Sequence, residues 1–449
     1  MLYRKIESFI KNWFQNESNK ILVIDGARQI GKSYIVRKCG KELFENYIEL
    51  NFVEDKQGER LFENVKSVDD FYFTLSTIHG DKMKDKKSTL IFLDEIQEYP
   101  QFITLLKFLK QDDKYTYIAS GSLLGVTLAD TSSIPIGSIE IKRMYQLDFE
   151  EFLIANGFSF DAISSLEEKF NARQSLDVAM HERLLDLFKK YLIVGGLPDC
   201  VNEFLSSHNV MKIRQIQDDI TRFYGEDASK YDKERKLKIK RIYDMLPSTM
   251  QGVNKRIIIK DIEGVKGKRF ANYVDEFDYL ISSGIALDVK AISNPVFPLC
   301  QSEDKNLLKL YMNDVGLLSN ILFKTNTKPI LEDIRSINLG ALYETAVAGQ
   351  LKALGHKLCY YDNRKNGEVD FLIDDYGKLS VLPVEVKSGR DYSIHSALNH
   401  FLSNESYPVS EGFVLSNERE IKSVQKITYL PIYFVMFLKQ SFDDSSMLI

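Results

Sequence analysis

The chain has 449 residues, of which 44% are hydrophobic and 27% are charged, and its 59 basic and 64 acidic side chains give a formal net charge of −5. This composition excludes disorder, collagen-like repeats and coiled coil as the main architecture. At roughly 150 residues per domain, the length predicts about three domains. The cysteines are too far apart for a disulfide framework or a C-x-x-C zinc pair, so we expect reduced packing residues at Cys39, Cys200, Cys300 and Cys359.

The sequence predicts a cytoplasmic protein that makes no contact with a membrane. Charged residues interrupt the N-terminal segment throughout, unlike the apolar core of a secretory signal. The longest uncharged apolar run, Ile427–Leu438, has 12 residues and is too short to span a bilayer.

The first chemical motif follows a predicted strand near the N-terminus. Residues 21–25 (ILVID) are an apolar run, and Gly26–Ser33 (GARQIGKS) match the phosphate-binding pattern G-x-x-x-x-G-K-[ST] before a predicted helix over Tyr34–Phe44. The glycines permit a tight backbone path, Lys32 reaches phosphate oxygens and Ser33 ligates Mg²⁺. We therefore predict that ATP and Mg²⁺ bind at Gly26, Ala27, Arg28, Gln29, Ile30, Gly31, Lys32, Ser33 and Tyr34.

A second motif lies where the apolar run Leu90–Leu93 meets two acidic residues. A buried parallel strand reads as such a run, and ligands sit at its C-terminal end. Asp94 is therefore placed to hold the metal together with Ser33, and Glu95 is placed to polarise the attacking water. The alternative is an acidic loop after a core strand, which the phosphate-binding motif upstream makes less favoured.

A third predicted strand (YTYIASGS) ends at Ser120, Gly121 and Ser122. Either serine could contact the terminal phosphate of a nucleotide, although Ser-Gly-Ser is also ordinary turn chemistry. A further strand over Ser138–Met144 completes a predicted parallel sheet of about five strands.

The middle of the chain is predicted to be helical from Asp148 to Tyr224, with a break at Gly195-Gly196 and Pro198. A basic block follows, because Lys230–Arg269 contains 13 basic and 5 acidic residues, a local net charge of +8. Such a block is a candidate surface for nucleic-acid phosphates, although basic runs are more often plain solvated faces.

Residues 226–325 have the element order of a winged helix, with predicted helices over Arg235–Met250 and Lys268–Ser283 and then a two-stranded ribbon that begins at GIALDVKAI. In this interpretation Lys266, Lys268 and Arg269 open the helix that faces DNA. The alternative is a module that packs against the rest of the chain or binds a protein partner.

The C-terminal segment contains two predicted strands that bring charged residues together. Alternation in GEVDFLIDD places Asp370 on the face opposite Val369 and Phe371, and alternation in VLPVEVKSG places Glu385 and Lys387 on one face. Two carboxylates and an ammonium group suit a Mg²⁺-dependent phosphodiester hydrolase. Asp370 and Glu385 would hold the metal, and Lys387 would orient water or stabilise the developing phosphorane charge.

A fourth candidate, Glu344, lies on a predicted helix over 336–354. With 100° of rotation per residue around the helix, Glu344 lies within about 60° of an apolar stripe. Burying a carboxylate at such a position costs free energy unless the carboxylate has a partner. A metal site on the adjoining sheet supplies one. The alternative is a buried Glu paired with Arg or a backbone N–H. The stripe comprises Ile337, Ala341, Val347, Ala348 and Leu351.

The order of Glu344, Asp370, Glu385 and Lys387 resembles the PD-(D/E)XK nuclease superfamily, with Val369 in place of the proline of the family name. The resemblance implies metal-dependent DNA cleavage, although relatives that only bind DNA keep much of the same pattern.

Across nearly its whole length, the chain resembles predicted AAA-type ATPases of bacteria and archaea that carry a nuclease-related C-terminal domain of unknown function. The resemblance rests on GARQIGKS, LIFLDE, YLIVGGLPD, KLYMNDVGLL, YETAVA and EVDFLI…VEVKSG. It implies an α/β protein with an ATPase core (1–147), a helical lid (148–225), a winged-helix domain (226–330) and a nuclease-like domain (331–449). Arg143 and Arg222 are candidates for the arginine that completes an ATPase site in a neighbouring subunit.

We therefore predict an ATP-hydrolysing enzyme, possible oligomer formation, and DNA binding with Mg²⁺-dependent cleavage by the C-terminal domain. The predicted catalytic residues are Glu95, Glu344, Asp370, Glu385 and Lys387, and the nucleotide site also includes Asp94 and Ser120. The alternative is a regulatory nucleotide switch whose inactive nuclease-like domain binds protein partners.

Overall fold

The computed structural model describes residues 2–16, 18–122, 137–227, 233–252, 255–265, 267–334, 336–389 and 393–440. Two compact units make up the chain. The first unit comprises residues 1–145 and 278–285, and the second comprises residues 146–277 and 286–449.

The first unit is built around a five-stranded parallel sheet with strand order β2-β3-β4-β1-β5. This confirms the parallel sheet predicted from the sequence. Its strands are β1 (Ile21–Asp25), β2 (Asn46–Asn51), β3 (Thr89–Asp94), β4 (Thr116–Gly121) and β5 (Ile139–Arg143). Its complete helices are α1 (Lys5–Gln15), α2 (Lys32–Leu43), α3 (Phe52–Gln57), α4 (Val68–His79) and α5 (Gln101–Asp112).

Burial explains why these segments form a parallel sheet. Every residue of β1 and β3 is buried, as expected of strands that are covered on both faces. One side of the sheet packs against an aromatic cluster in which Phe52 and Phe102 have ring centroids 4.5 Å apart. Because Asp25 lies beside Gly121 and Leu93 beside Ala119, the C-terminal ends of β1, β3 and β4 are aligned.

The second unit contains an eight-stranded mixed sheet with strand order β12-β13-β11-β10-β9-β8-β6-β7. Its strands are β6 (Ala286–Ile292), β7 (Asp304–Met312), β8 (Cys359–Asn363), β9 (Gly367–Asp375), β10 (Ser380–Val386), β11 (Gly412–Ser416), β12 (Lys422–Val424) and β13 (Ile427–Pro431). The α-helices from residue 146 onward are α6 (Phe149–Ala155), α7 (Phe160–Asn171), α8 (Val178–Val194), α9 (Pro198–Ser207), α10 (Val210–Asp227), α11 (Lys233–Gln251), α12 (Ile259–Glu263), α13 (Val274–Ser282), α14 (Val315–Phe323), α15 (Lys328–Leu331), α16 (Gly340–Ala353) and α17 (Ser396–Ser403). The last residues of α13, from Asp278 onward, belong to the first unit.

The ribbon predicted as a wing is present, because β6 and β7 pair in antiparallel orientation. Strand β6 also pairs in parallel with β8, however, so the ribbon continues the C-terminal sheet. The physical reason is burial. Five of the seven residues of β6 are buried, and a buried strand requires hydrogen-bonding partners on both edges. Local sequence patterns do not reveal this long-range pairing.

The predicted helix over Lys268–Ser283 is wrong at its start. Lys268 and Arg269 are exposed residues that precede a 3₁₀ turn over Phe270–Asn272, and α13 begins only at Val274. The first turn of α13 contains acidic residues, which would repel a nucleic-acid phosphate. Lys266, the third residue of this prediction, lies outside the described residues, as does Lys230 at the start of the basic block.

A buried carboxylate joins two helices of the second unit. Asp314 caps α14 by accepting a hydrogen bond from Leu317 N at 3.2 Å, and it also accepts one from Gly196 N at 2.7 Å, just after α8. Burial raises the pKa of Asp314 to about 6, although these backbone donors oppose the rise. The Gly195-Gly196 break seen in the sequence is therefore a docking point for Asp314.

Among the described residues, no helix is both long and apolar enough to cross a membrane. Cys39, Cys200 and Cys359 are buried, as the prediction of packing residues requires, whereas Cys300 is exposed.

We predict that Asp314→Ala lowers the free energy of unfolding by about 3 kcal/mol, because two buried N–H groups lose their acceptor. Chemical denaturation monitored by circular dichroism measures this loss. The matched control is Ser159→Ala, which removes an exposed helix cap on Ala162 N and is expected to cost about 1 kcal/mol. Equal losses in the two variants would contradict a special role for Asp314.

Candidate functional site

The phosphate-binding loop follows β1 and has the backbone path expected from its glycines. Gly26 has a φ of 151°, and a Cβ there would lie 2.3 Å from the carbonyl oxygen of Met144. Gly31 has a φ of 92° and caps α2, which begins at Lys32, two residues earlier than predicted. Lys32 and Ser33 therefore lie in the first helical turn, where free backbone N–H groups favour an anion.

Lys32 is buried and contacts the loop itself. Its Nζ donates hydrogen bonds to Gly26 O at 2.9 Å and to Ala27 O at 2.8 Å. Burial lowers the pKa of Lys32, and the charges of nearby carboxylates, with Glu95 the largest contributor, oppose that shift. A bound phosphate would offer this ammonium group anionic acceptors in place of the two carbonyls.

The other predicted loop residues have varied environments. Arg28 Nε donates a hydrogen bond to Ser122 Oγ at 3.2 Å. Gln29 has a left-handed φ of 62°, and the buried Ile30 accepts a hydrogen bond from Arg4 through its carbonyl. Tyr34 is half exposed on the first turns of α2. Ala27 is buried beside Lys32, whose Nζ contacts its carbonyl oxygen.

Asp94 lies among the serines that the sequence placed with it. Ser120 Oγ donates a hydrogen bond to Asp94 Oδ1, and Ser33 also bonds to this carboxylate. Burial raises the pKa of Asp94, while the two hydroxyl groups favour its charged form. The structure thus brings together the predicted magnesium ligands Ser33 and Asp94 and the predicted phosphate contact Ser120.

Glu95 follows directly and has the left-handed φ of 56° that non-glycine residues rarely adopt. Such conformations are found at functional sites where the surroundings hold them in place. Here Gln97 Nε2 donates to Glu95 Oε2, and Ser122 Oγ lies 3.5 Å from the same oxygen. Sequence reasoning missed Gln97, whose only signal was its position two residues after the Asp-Glu pair.

The two candidate arginines have different environments. Arg143 donates a hydrogen bond to the backbone carbonyl of Ile281 at 2.8 Å and lies 3.8 Å from Asp25 within the first unit. Arg222 is 70% exposed and pairs with Asp219 on the same helix. Arg222 therefore has the greater freedom to reach another molecule.

Two of the C-terminal candidates, Asp370 and Glu385, lie on adjacent antiparallel strands. Phe371 of β9 pairs with Val384 of β10, and the next step of this register places Asp370 opposite Glu385. Both carboxylates are buried. Asp370 Oδ2 accepts a hydrogen bond from Val386 N at 2.8 Å, which fixes the carboxylate against the neighbouring strand.

Glu385 has one cationic partner and one free oxygen. Lys387 Nζ donates to Glu385 Oε1 at 2.8 Å. Within the part of the chain that the structure describes, Glu385 Oε2 is buried and has no hydrogen-bond partner. Burial and the negative charge of Asp370 raise the pKa of Glu385 to about 8, against the opposing charge of Lys387.

Glu344 is buried on α16, where its negative charge and those of Asp370 and Glu385 repel one another. Its two oxygens already have partners, because Lys255 Nζ forms an ion pair with Oε1 and Tyr311 OH donates to Oε2 at 3.0 Å. Burial raises the pKa of Glu344, and Lys255 opposes that rise. In this arrangement the buried glutamate is paired with a lysine and a tyrosine hydroxyl, instead of the arginine or backbone N–H of the alternative interpretation.

Sequence reasoning also missed a second lysine–glutamate pair in this region. Lys309, fully buried on β7, pairs with Glu368 and lies 4.3 Å from the ring centroid of Tyr360. The available signal was a lysine at the centre of the apolar strand LLKLYM. We call Glu344, Glu368, Asp370, Glu385, Lys255, Lys309 and Lys387 the carboxylate–lysine cluster.

The cluster has limited capacity for a metal ion in this arrangement. Over the described ranges, no three His, Cys, Asp or Glu side chains are grouped so that they could hold a metal ion. The orphaned Glu385 Oε2 and the adjacent Asp370 carboxylate nevertheless provide the oxygen ligands that Mg²⁺ prefers. The third carboxylate, Glu344, has Lys255 as its counter-ion.

Comparison with family models divides the chain into three matched regions. Residues 18–153 match a family described as an AAA domain. Residues 185–328 and 339–435 match two domains of unknown function, DUF8612 and DUF4143. No curated protein matches the chain. The AAA-domain match includes all five strands of the first unit.

Solved structures similar to the chain have low sequence identity. The Walker-type ATPase PABY2304 of Pyrococcus abyssi is 14% identical with a TM-score of 0.42, and the match covers 71% of this chain and 95% of that one. The RuvB Holliday junction branch migration motor of Thermotoga maritima is 13% identical with a TM-score of 0.30, and the match covers 64% and 89%. The Hsp104–ADP complex of S. cerevisiae is 11% identical with a TM-score of 0.30, and the match covers 79% and 43%.

We predict that Gln97→Ala lowers kcat for ATP hydrolysis about tenfold and leaves ATP affinity nearly unchanged, because Glu95 loses the donor that orients its carboxylate. Steady-state kinetics and nucleotide titration separate the two effects. The control is Gln101→Ala, whose amide contacts the exposed backbone carbonyl of Glu63. An unchanged kcat in Gln97→Ala would exclude Gln97 as a positioning residue.

Proposed function

We propose that this protein is an ATP-hydrolysing enzyme whose second unit binds DNA and cleaves it with Mg²⁺. The observation that carries the ATPase part is the assembly of Lys32, Ser33, Asp94 and Ser120 at the C-terminal ends of aligned parallel strands. Lys32 and the N-terminus of α2 would bind phosphate oxygens, and Ser33 and Asp94 would hold Mg²⁺, which neutralises phosphate charge during transfer. Glu95 would orient the attacking water.

We predict that Lys32→Ala weakens ATP binding roughly a hundredfold and abolishes hydrolysis, because a charge-assisted contact to phosphate is lost. Binding of a fluorescent ATP analogue and phosphate release measure the two effects. The matched control is Lys41→Ala, an exposed lysine on the same helix, which should behave like the unaltered protein. Normal ATP binding by Lys32→Ala would refute the proposed site.

Support for the DNA-cleaving part is that Asp370 of β9 lies opposite Glu385 of β10 and that Lys387, directly after β10, contacts Glu385. Asp370 and Glu385 would hold Mg²⁺, which polarises a phosphoryl oxygen when it is bound. Lys387, partly exposed beside Glu385, would stabilise the charge that develops on the phosphodiester.

We predict that Lys387→Ala lowers Mg²⁺- or Mn²⁺-dependent cleavage by about two to three orders of magnitude, because a cation directed at the transition state is removed. ATP hydrolysis should stay intact. Linear, branched and single-stranded DNA are incubated with the full chain, with and without ATP. The control is Lys378→Ala, an exposed lysine paired with Glu411. Cleavage that persists in Lys387→Ala would remove this residue from the mechanism.

A second candidate function is a regulatory nucleotide switch whose carboxylate–lysine cluster is inactive and whose second unit binds a protein partner. The observation that favours it is the pairing of Glu344 with Lys255, which leaves only Asp370 and Glu385 for a metal ion. DNA affinity that falls steeply with salt supports the DNA-acting enzyme, because counterions are released when phosphates are bound. A flat dependence supports the switch.

A further inference from the structure

Lys255 belongs to the basic block, but its ammonium group forms an ion pair within the protein. Its side chain is 18% exposed and forms an ion pair with Glu344, which is only 3% exposed. Tyr311 OH donates to the other Glu344 oxygen, so each oxygen of this carboxylate already contacts a group of the chain itself. A metal ion that approaches Glu344 Oε1 would compete with the Lys255 ammonium group.

Contacts within the second unit hold the segment that carries Lys255 beside the cluster. Ile257 N donates to Leu308 O at 3.0 Å, and Arg256 Nη1 lies 3.1 Å from Asp362 Oδ2. Lys255 itself has a φ of 45°, in the left-handed region that a residue with a Cβ disfavours. The anchors therefore hold Lys255 against Glu344, while its partial exposure leaves the ammonium group within reach of a ligand.

Charge balance links the lysine to the proposed metal and substrate. Glu344, Asp370 and Glu385 supply three negative charges when they are ionised, and Lys255 and Lys387 supply two positive charges. A divalent cation alone leaves an excess of one positive charge, and a phosphodiester monoanion neutralises it. Binding of the metal and binding of the phosphodiester should therefore favour each other, and this linkage is reciprocal.

We propose that Lys255 is a phosphate-binding residue that exchanges Glu344 for an oxygen of the DNA backbone. When a phosphodiester takes Lys255, the Glu344 carboxylate is released and becomes a ligand or water acceptor for the divalent cation. The cluster thus gains its third metal-binding carboxylate only in the presence of substrate. This proposal rests on the DNA-acting function proposed above for the same cluster.

The test uses the full chain without nucleotide, with Mn²⁺ and a 20-base-pair DNA duplex as probes. Electron paramagnetic resonance of free Mn²⁺ gives the metal affinity in the absence of DNA. Fluorescence anisotropy gives the DNA affinity. It is measured with Ca²⁺ in place of Mg²⁺, so that DNA binds without being cleaved. Asp370→Asn/Glu385→Gln supplies the blank for Mn²⁺ bound elsewhere, and thermal unfolding shows that each variant is folded.

We expect Lys255→Gln to bind Mn²⁺ about tenfold more tightly than the unaltered protein without DNA, because Glu344 is released. The same variant should bind DNA about tenfold more weakly in Ca²⁺, and its salt dependence should fall by about one unit. The matched control is Lys352→Gln, which breaks the ion pair between Lys352 on α16 and Asp288 on β6 and should change neither affinity.

Glu344→Gln provides the opposite test and keeps the proposal falsifiable if Lys255→Gln does not fold. It frees Lys255 and should strengthen metal-free DNA binding about tenfold. Equal Mn²⁺ affinities in Lys255→Gln and the unaltered protein, or unchanged DNA affinities in both variants, would overturn the role of Lys255. Mn²⁺ binding no stronger than the blank in every variant would instead overturn the proposed metal site, and the proposal with it.

Discussion

The chemistry of both candidate sites depends on how buried carboxylates are neutralised. An isolated carboxylate is far less stable in a protein interior than in water, so it must find donors or cations. Asp94 finds hydroxyl groups, Asp370 finds a backbone N–H, and Glu344 and Glu385 find lysines. The donor or cation that contacts each carboxylate determines whether that carboxylate is available to a metal ion.

The two sites share one feature. In each, a lysine contacts oxygens of the protein, and the phosphate oxygens of the proposed ligand would be stronger acceptors for it. In the nucleotide site, Lys32 contacts two loop carbonyls. In the carboxylate–lysine cluster, Lys255 contacts Glu344. Each contact keeps a buried ammonium group satisfied without its ligand, and in the proposed functions each is exchanged when a phosphate binds. The proposed ligand binding at either site would therefore include a conformational change.

Local sequence patterns were most informative where function is encoded by neighbours in the chain. The phosphate-binding loop and the Asp94-Glu95 pair each lie within a few residues, and their positions at strand ends follow from the apolar runs before them. Gln97 was not identified, because an amide two residues from a carboxylate has no distinctive pattern. The start of α13 was misplaced, because the basic residues before it are compatible with both a helix and a loop.

The sequence by itself determined the parallel sheet of the first unit, the nucleotide-binding loop and the strand positions of Asp370 and Glu385. All of these depend on periodicity or spacing over short distances. Only the tertiary structure decided that β6 joins β8 in one sheet and that Lys255, 89 residues before Glu344, is its counter-ion. Pairing between distant segments is selected by burial and charge balance in the folded chain, and a linear pattern does not record it.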